Sequence, residues 1–149
     1  MTSLTFAALP LASSTVWRWI WAANLALLSL DHLSTGLLGV FAPHRAIRIY
    51  RGLFGIQFPE SPEIVAVLKP WGALAVFAAV ATIFPIVDPL RYRGVLIALF
   101  VLLLLRIMIR FSAHATATAL FGLSSRRNAW HIALIALCAT LIASEILLL

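Results

Sequence analysis

Apolar positions along the chain gather into four long runs separated by short polar breaks. The runs cover residues 16–40, 62–87, 92–113 and 128–149, and each reaches the roughly 20 residues that a helix needs to cross the hydrocarbon core of a bilayer. Ser13, Ser14 and Thr15 offer N-caps to the first run, because a short side-chain oxygen there can accept from the open amides of a first turn. Ser61-Pro62-Glu63 marks the start of the second, with a capping hydroxyl, a proline in the first turn and an early acid. Pro70 should kink that helix or split off a short first piece, and Asp88-Pro89 ends it. The third run is built on VLIALFVLLLL and has room to continue to Leu120; the fourth starts at Asn128.

Residues 44–54 follow a different pattern. Arg45, Arg48 and Arg51 recur at every third position, with Ile47, Ile49, Leu53 and Phe54 among them. That spacing predicts a short basic amphipathic helix in the membrane interface, its three arginines on lipid headgroups. The expected architecture is all-α: a four-helix transmembrane bundle forming a single domain, with this interfacial helix between the first two spans.

Composition strengthens the membrane reading. Of 149 residues, 63% are hydrophobic and 11% charged, against roughly 45–50% and about 25% in soluble domains. A water-soluble fold of this length has too much surface to hide that excess. The net charge of +6 does not point to nucleic acid, because no aromatic or glycine-rich binding motif accompanies it. Beside apolar spans, basic residues set topology instead. Cys138 is the only cysteine, which excludes an intrachain disulfide and a C-x-x-C redox pair.

Alternation of four spans puts Arg18, Arg91 and Arg93 on one membrane face. Arg45, Arg48, Arg51, Lys69, Arg126 and Arg127 lie on the other. By the positive-inside rule the second face is cytoplasmic. The expectation is a protein of a bacterial inner membrane with both termini on the non-cytoplasmic side. Trp17, Trp19 and Trp21, and separately Trp71 and Trp130, fall near span starts, as interfacial aromatics do.

Ionisable residues within spans are costly and usually face a partner or a cavity. Asp31 and His32 lie in the first span, Arg106 and Arg110 in the third, with His114 continuing their i, i+4, i+8 stripe. Similar depths predict a buried charge network in which Asp31 pairs directly with Arg106 or Arg110. His32 with His114 or His131 is a conceivable ligand pair for a haem, while no acid or cysteine completes a transition-metal site near them. Glu145 is within reach of Arg91 or Arg93. Hydrolase elbows and phosphate-binding glycine loops are missing, and neither an internal repeat nor a second broken helix suggests a transporter. Small residues such as Ala22, Ala26, Ala75, Ala79, Ala136 and Ala143 permit close helix packing, within the bundle or against another protein.

Three stretches together, A-P-H-R-x-x-R-x-Y-R-G-L-F-G after the first span, the turn D-P-L-R-Y-R-G and the third-span end L-R-I-M-I-R, resemble the small DoxX-like membrane proteins over residues 20–120. The resemblance implies a four-helix membrane bundle tied to quinone-linked or oxidative-stress complexes, and it transfers no catalytic residue. The function expected first is a non-catalytic accessory subunit packing in a larger electron-transfer or photosynthetic membrane complex. Second comes an oxidoreductase component using Asp31, His32, Arg106 and Arg110 around a quinone or haem; third, a small transporter or channel subunit. Expected partners are membrane lipids and other membrane subunits.

Overall fold

The computed structural model describes residues 15–57 and 59–149; the expected caps Ser13 and Ser14 lie outside the described residues. Among the described residues six helices follow in order: α1 (Thr15–Phe41), α2 (Pro43–Phe54), α3 (Pro62–Val87), α4 (Arg93–Ser112), α5 (His114–Phe121) and α6 (Ser125–Leu148). Four of them, α1, α3, α4 and α6, have 27, 26, 20 and 24 residues and are apolar enough to span a membrane. At 1.5 Å per residue even the shortest measures about 30 Å, the thickness of the hydrocarbon core. The protein is an all-α integral membrane four-helix bundle, and its apolar spans contact lipid.

Sequence signals act where they were expected in α3. Ser61 Oγ accepts from the Ile64 amide at 3.4 Å, and the helix ends at Asp88, whose side chain accepts from the Arg91 amide at 3.0 Å. Pro70 does not split the helix: α3 runs unbroken through it and through Pro85. Contact with α1 on both sides of Pro70, at Leu68 and Gly72, holds the axis together although one backbone hydrogen bond is lost. The third span ends at Ser112, next to the expected limit at 113 and without the extension to Leu120, and α5 is a separate helix. At that break the Arg110 carbonyl accepts a side-chain bond from Asn128 Nδ2 at 3.4 Å. The fourth span begins at Ser125, before the apolar run does, because Arg126 and Arg127 extend the helix with exposed side chains.

Around the bundle α1 packs on α3, α3 on α4, α4 on α6, and α6 back on α1. The long contacts are α1 with α3 and α4 with α6, so α1 and α4 face each other diagonally. Their side chains meet across the middle: Trp21, Leu25 and Leu28 of α1 join Leu96, Leu99 and Leu103 of α4 and Ala139 and Ile142 of α6. Both stripes repeat at three to four residues, the helical period.

The α1–α3 contact is a close one. A Cβ built on Gly36 would stand 2.7 Å from the Gly72 carbonyl oxygen and 2.8 Å from the Val76 amide nitrogen, and one on Gly72 would stand 2.7 Å from the Gly36 carbonyl oxygen. Only hydrogen at these positions lets two backbones approach so far, the usual device for helix packing in lipid. Ser29 Oγ adds a buried hydrogen bond to the Ala79 carbonyl at 2.9 Å. Ala75 and Ala79 are buried here too, so these small residues serve packing within the chain.

The basic helix forms over Pro43–Phe54 with three faces. Ala46, Ile47 and Tyr50 are buried against the bundle, Ile49 and Leu53 are exposed apolar residues, and Arg45 and Arg48 point away from the bundle. Ile47 therefore anchors the helix to the protein instead of to lipid. Gly55 closes it in the left-handed conformation, φ 70°, which a glycine adopts without strain.

Candidate functional site

The apolar core stops one turn above Leu28 and Leu103, and the same helix faces then turn polar. His32 and Arg106 succeed them in the stripes, followed by Arg110 on α4 and Asn128 on α6. His32 is buried. Its Nδ1 lies 2.8 Å from the Leu28 carbonyl and its Nε2 lies 2.8 Å from Arg106 Nη1. A carbonyl only accepts and a guanidinium only donates, so the ring carries its proton on Nδ1 and accepts from Arg106 on Nε2. This bond joins the two diagonal helices.

One turn further on, Arg110 Nη1 donates to Asn128 Oδ1 at 3.0 Å. Asn128, 4% exposed, turns its amide to the Arg110 carbonyl and to His114 Nδ1, the latter at 3.2 Å. His114 then keeps its proton on Nε2, 3.2 Å from Ser125 Oγ. A single buried amide thus ties the end of α4, the start of α5 and the first turn of α6.

Beside this network lies a cavity of about 230 Å³ between α1, α3 and α4, beneath α2. Asp31, Thr35, Arg106 and Arg110 supply its polar wall, and Tyr50, Ile56, Leu68 and Trp71 the rest. Tyr50 and Trp71 meet edge to face, ring centroids 6.2 Å apart. Burial, with Asp31 adding to it, pushes the Tyr50 phenol above its ordinary pKa, so α2 presents a neutral hydroxyl-bearing ring. The Asp31 side chain is 62% exposed although it sits ten residues before the end of α1, or about 15 Å.

The expected direct pairing of Asp31 with an arginine is not what the structure forms. Arg106 bonds His32, Arg110 bonds Asn128, and the Asp31 carboxylate lies 3.9 Å from Nδ1 of the neutral His32 ring, too far for a hydrogen bond. Neighbouring residues on a helix point about 100° apart; it is His32 that faces α4, and Asp31 looks into the cavity. The three charges share one chamber instead of one ion pair.

Neither expected haem pair fits as placed, since each includes His32. Axial ligation needs a ring nitrogen with a lone pair to spare, and His32 and His114 have both nitrogens engaged. His131 is half-buried on α6, three residues past Asn128. Among the described residues no three His, Cys, Asp or Glu side chains converge as a metal site would require.

The remaining sites also have definite places. Arg45 and Arg48 are exposed on α2, while Arg51 lies 3.8 Å from Glu60, which also approaches His44 at 3.6 Å. Arg127 donates to the Gly52 carbonyl at 2.8 Å, fastening α6 to α2. At the other end of the bundle Glu145 accepts from Trp17 Nε1 at 3.1 Å, and Arg93 caps the Ile146 carbonyl at 3.2 Å; the expected Glu145–arginine pairing gives way to these two bonds. Asn128, Tyr50, Trp71 and Thr35 were not singled out as site residues from sequence. The one available signal was that Asn128 is a strongly polar residue at the edge of an apolar run.

No family model matches the chain, and neither does any curated protein or solved structure. What fold and site define together is a class: a small integral membrane bundle carrying a polar, arginine-lined cavity at one end.

Proposed function

We propose that this protein is a non-catalytic membrane subunit that holds the polar end of a membrane amphiphile, a lipid head or a quinone ring, in the cavity between α1, α3 and α4. One observation carries the reading. Arg106 stands inside a membrane span with a single hydrogen bond among the described residues, to a neutral imidazole, and its guanidinium lines the cavity. At the centre of a span an arginine costs about 2.5–3.5 kcal/mol on insertion scales; Arg106, six residues short of the end of α4, bears part of that cost, and a guanidinium carries five donors. A polar ligand group would offset that cost.

Membership of a larger membrane complex and the DoxX-like, quinone-linked resemblance are compatible with this role. The cavity end carries Arg45, Arg48, Lys69 and Arg126, and by the positive-inside rule it faces the cytoplasm, with both termini on the other side. Purified protein, extracted with organic solvent and analysed by mass spectrometry, should yield an amphiphile at near-stoichiometric amount that is lost in Arg106→Gln. Equal yields from both proteins would overturn the reading.

A further inference from the structure

Charge and size narrow the ligand, granted the amphiphile reading above. The cavity wall holds two guanidinium groups and one carboxylate, an excess of one positive charge. A neutral quinone carbonyl brings no charge opposite to that excess. A phosphodiester carries one negative charge and offers paired oxygens, the geometry that a guanidinium fork grips best.

About 230 Å³ is below the roughly 300–1,000 Å³ of sites that enclose a whole ligand, so the cavity fits a head and not its chains. Trp71, 44% exposed, stands at its rim, with the buried Tyr50 packed edge to face against it. Rings with an apolar body and a polar tip favour the level of lipid headgroups. Leu68 and Ile56 supply apolar wall beside them. On the far side Asp31 can only accept, and it therefore calls for a donor beyond the phosphate. We infer that the cavity binds the phosphodiester of an anionic glycerophospholipid with a hydroxyl-bearing head, of the phosphatidylglycerol type. The phosphate lies on Arg106 and Arg110, the head hydroxyls lie toward Asp31, and the acyl chains lie outside in the bilayer.

The full chain, purified in detergent and loaded with an equimolar mixture of phosphatidylglycerol, phosphatidylcholine and an isoprenoid quinone, is read by native mass spectrometry. Both lipids bring the same phosphodiester to the arginines, but only phosphatidylglycerol adds hydroxyl donors for Asp31 and a net charge opposite to that of the cavity wall, so wild type should retain it over phosphatidylcholine by about tenfold or more, the effect of one charge-assisted hydrogen bond. Arg106→Gln/Arg110→Gln should lose that preference. Lys69→Gln/Arg126→Gln, which removes the same charge at the same end outside the cavity, should keep it. Loss in the second pair instead would assign the binding to the general surface and overturn the inference. Retention of quinone in place of phosphatidylglycerol would overturn the inference and leave the amphiphile reading standing; no retained amphiphile in wild type would sink both. Inorganic phosphate at 10 mM should not displace the lipid, and displacement would assign the site to a soluble phosphate. The wild-type comparison decides even if the arginine variant fails to fold.

Discussion

Gly36→Ala tests whether the α1–α3 contact is as close as the backbone indicates. The new methyl would meet the Gly72 carbonyl oxygen at 2.7 Å and the Val76 amide nitrogen at 2.8 Å. Both are backbone atoms that no rotamer can move, and ordinary carbon contacts lie near 3.5–4.0 Å. The helices must then separate by about 0.7 Å or more, which loosens the Ser29–Ala79 bond and the packing around it. Overpacking of this kind costs roughly 1–3 kcal/mol. Against it stands the intrinsic gain of alanine over glycine inside a helix, about 0.5–1 kcal/mol. Gly52→Ala isolates that gain, since a Cβ there meets nothing within 4 Å. Gly52→Ala should therefore raise the melting temperature and Gly36→Ala lower it. The gain is common to both, so the difference is the overpacking cost of about 1–3 kcal/mol, which at roughly 2–4 °C per kcal/mol for a chain of this length amounts to several degrees. Intrinsic tryptophan fluorescence of the detergent-solubilised protein follows the transition. Equal shifts for the two variants would refute the close approach.

Three further outcomes are expected. His32→Phe and Arg106→Met should be non-additive by about 0.5–3 kcal/mol in thermal stability, as for other directly bonded pairs; strict additivity would show that the diagonal bond between α1 and α4 contributes nothing. Asn128→Leu leaves Arg110 and His114 without their shared partner and should cost about 1–3 kcal/mol, so an unchanged melting temperature would place the amide outside the network. With Cys138→Ala as background, an impermeant thiol reagent on intact cells should label Leu90→Cys and spare Gln57→Cys; the reverse pattern inverts the topology.

The spans were legible because length and hydropathy decide them, and α3 was legible to the residue because serine, proline and acid stand together at its start. The basic helix was legible from its arginine spacing. The partner of Arg106 was not. Asp31 and His32 are adjacent, and the choice between them depends on the rotation of α1, which is set by contacts that an almost uniformly apolar helix does not announce. Gly36, Gly39 and Gly72 were overlooked for a related reason: a glycine in a span says that something comes close without saying what. Alanines were a weaker version of the same signal, and two of them do lie in this contact. Asn128 was assigned to a helix start, where polar residues are ordinary, and its burial appears only when α4, α5 and α6 are assembled.

Packing and site are not separate features of this bundle. Thr35 precedes Gly36 and Trp71 precedes Gly72, so the two residues flanking this close backbone contact are also cavity wall. The tight α1–α3 approach fixes the distance between Asp31 and Thr35 on one side and Trp71 on the other. Opposite them the guanidiniums are held from behind, Arg106 by His32 and Arg110 by Asn128. Both guanidiniums line the cavity. Two pinned charges facing a wall of fixed position form a preorganised site, which lowers the ordering cost of binding. The apolar half of the bundle, from Trp21 to Leu28 and Leu96 to Leu103, supplies the hydrocarbon-spanning core that permits this arrangement. Substitutions there should lower stability without altering ligand preference, while Gly36→Ala should disturb both.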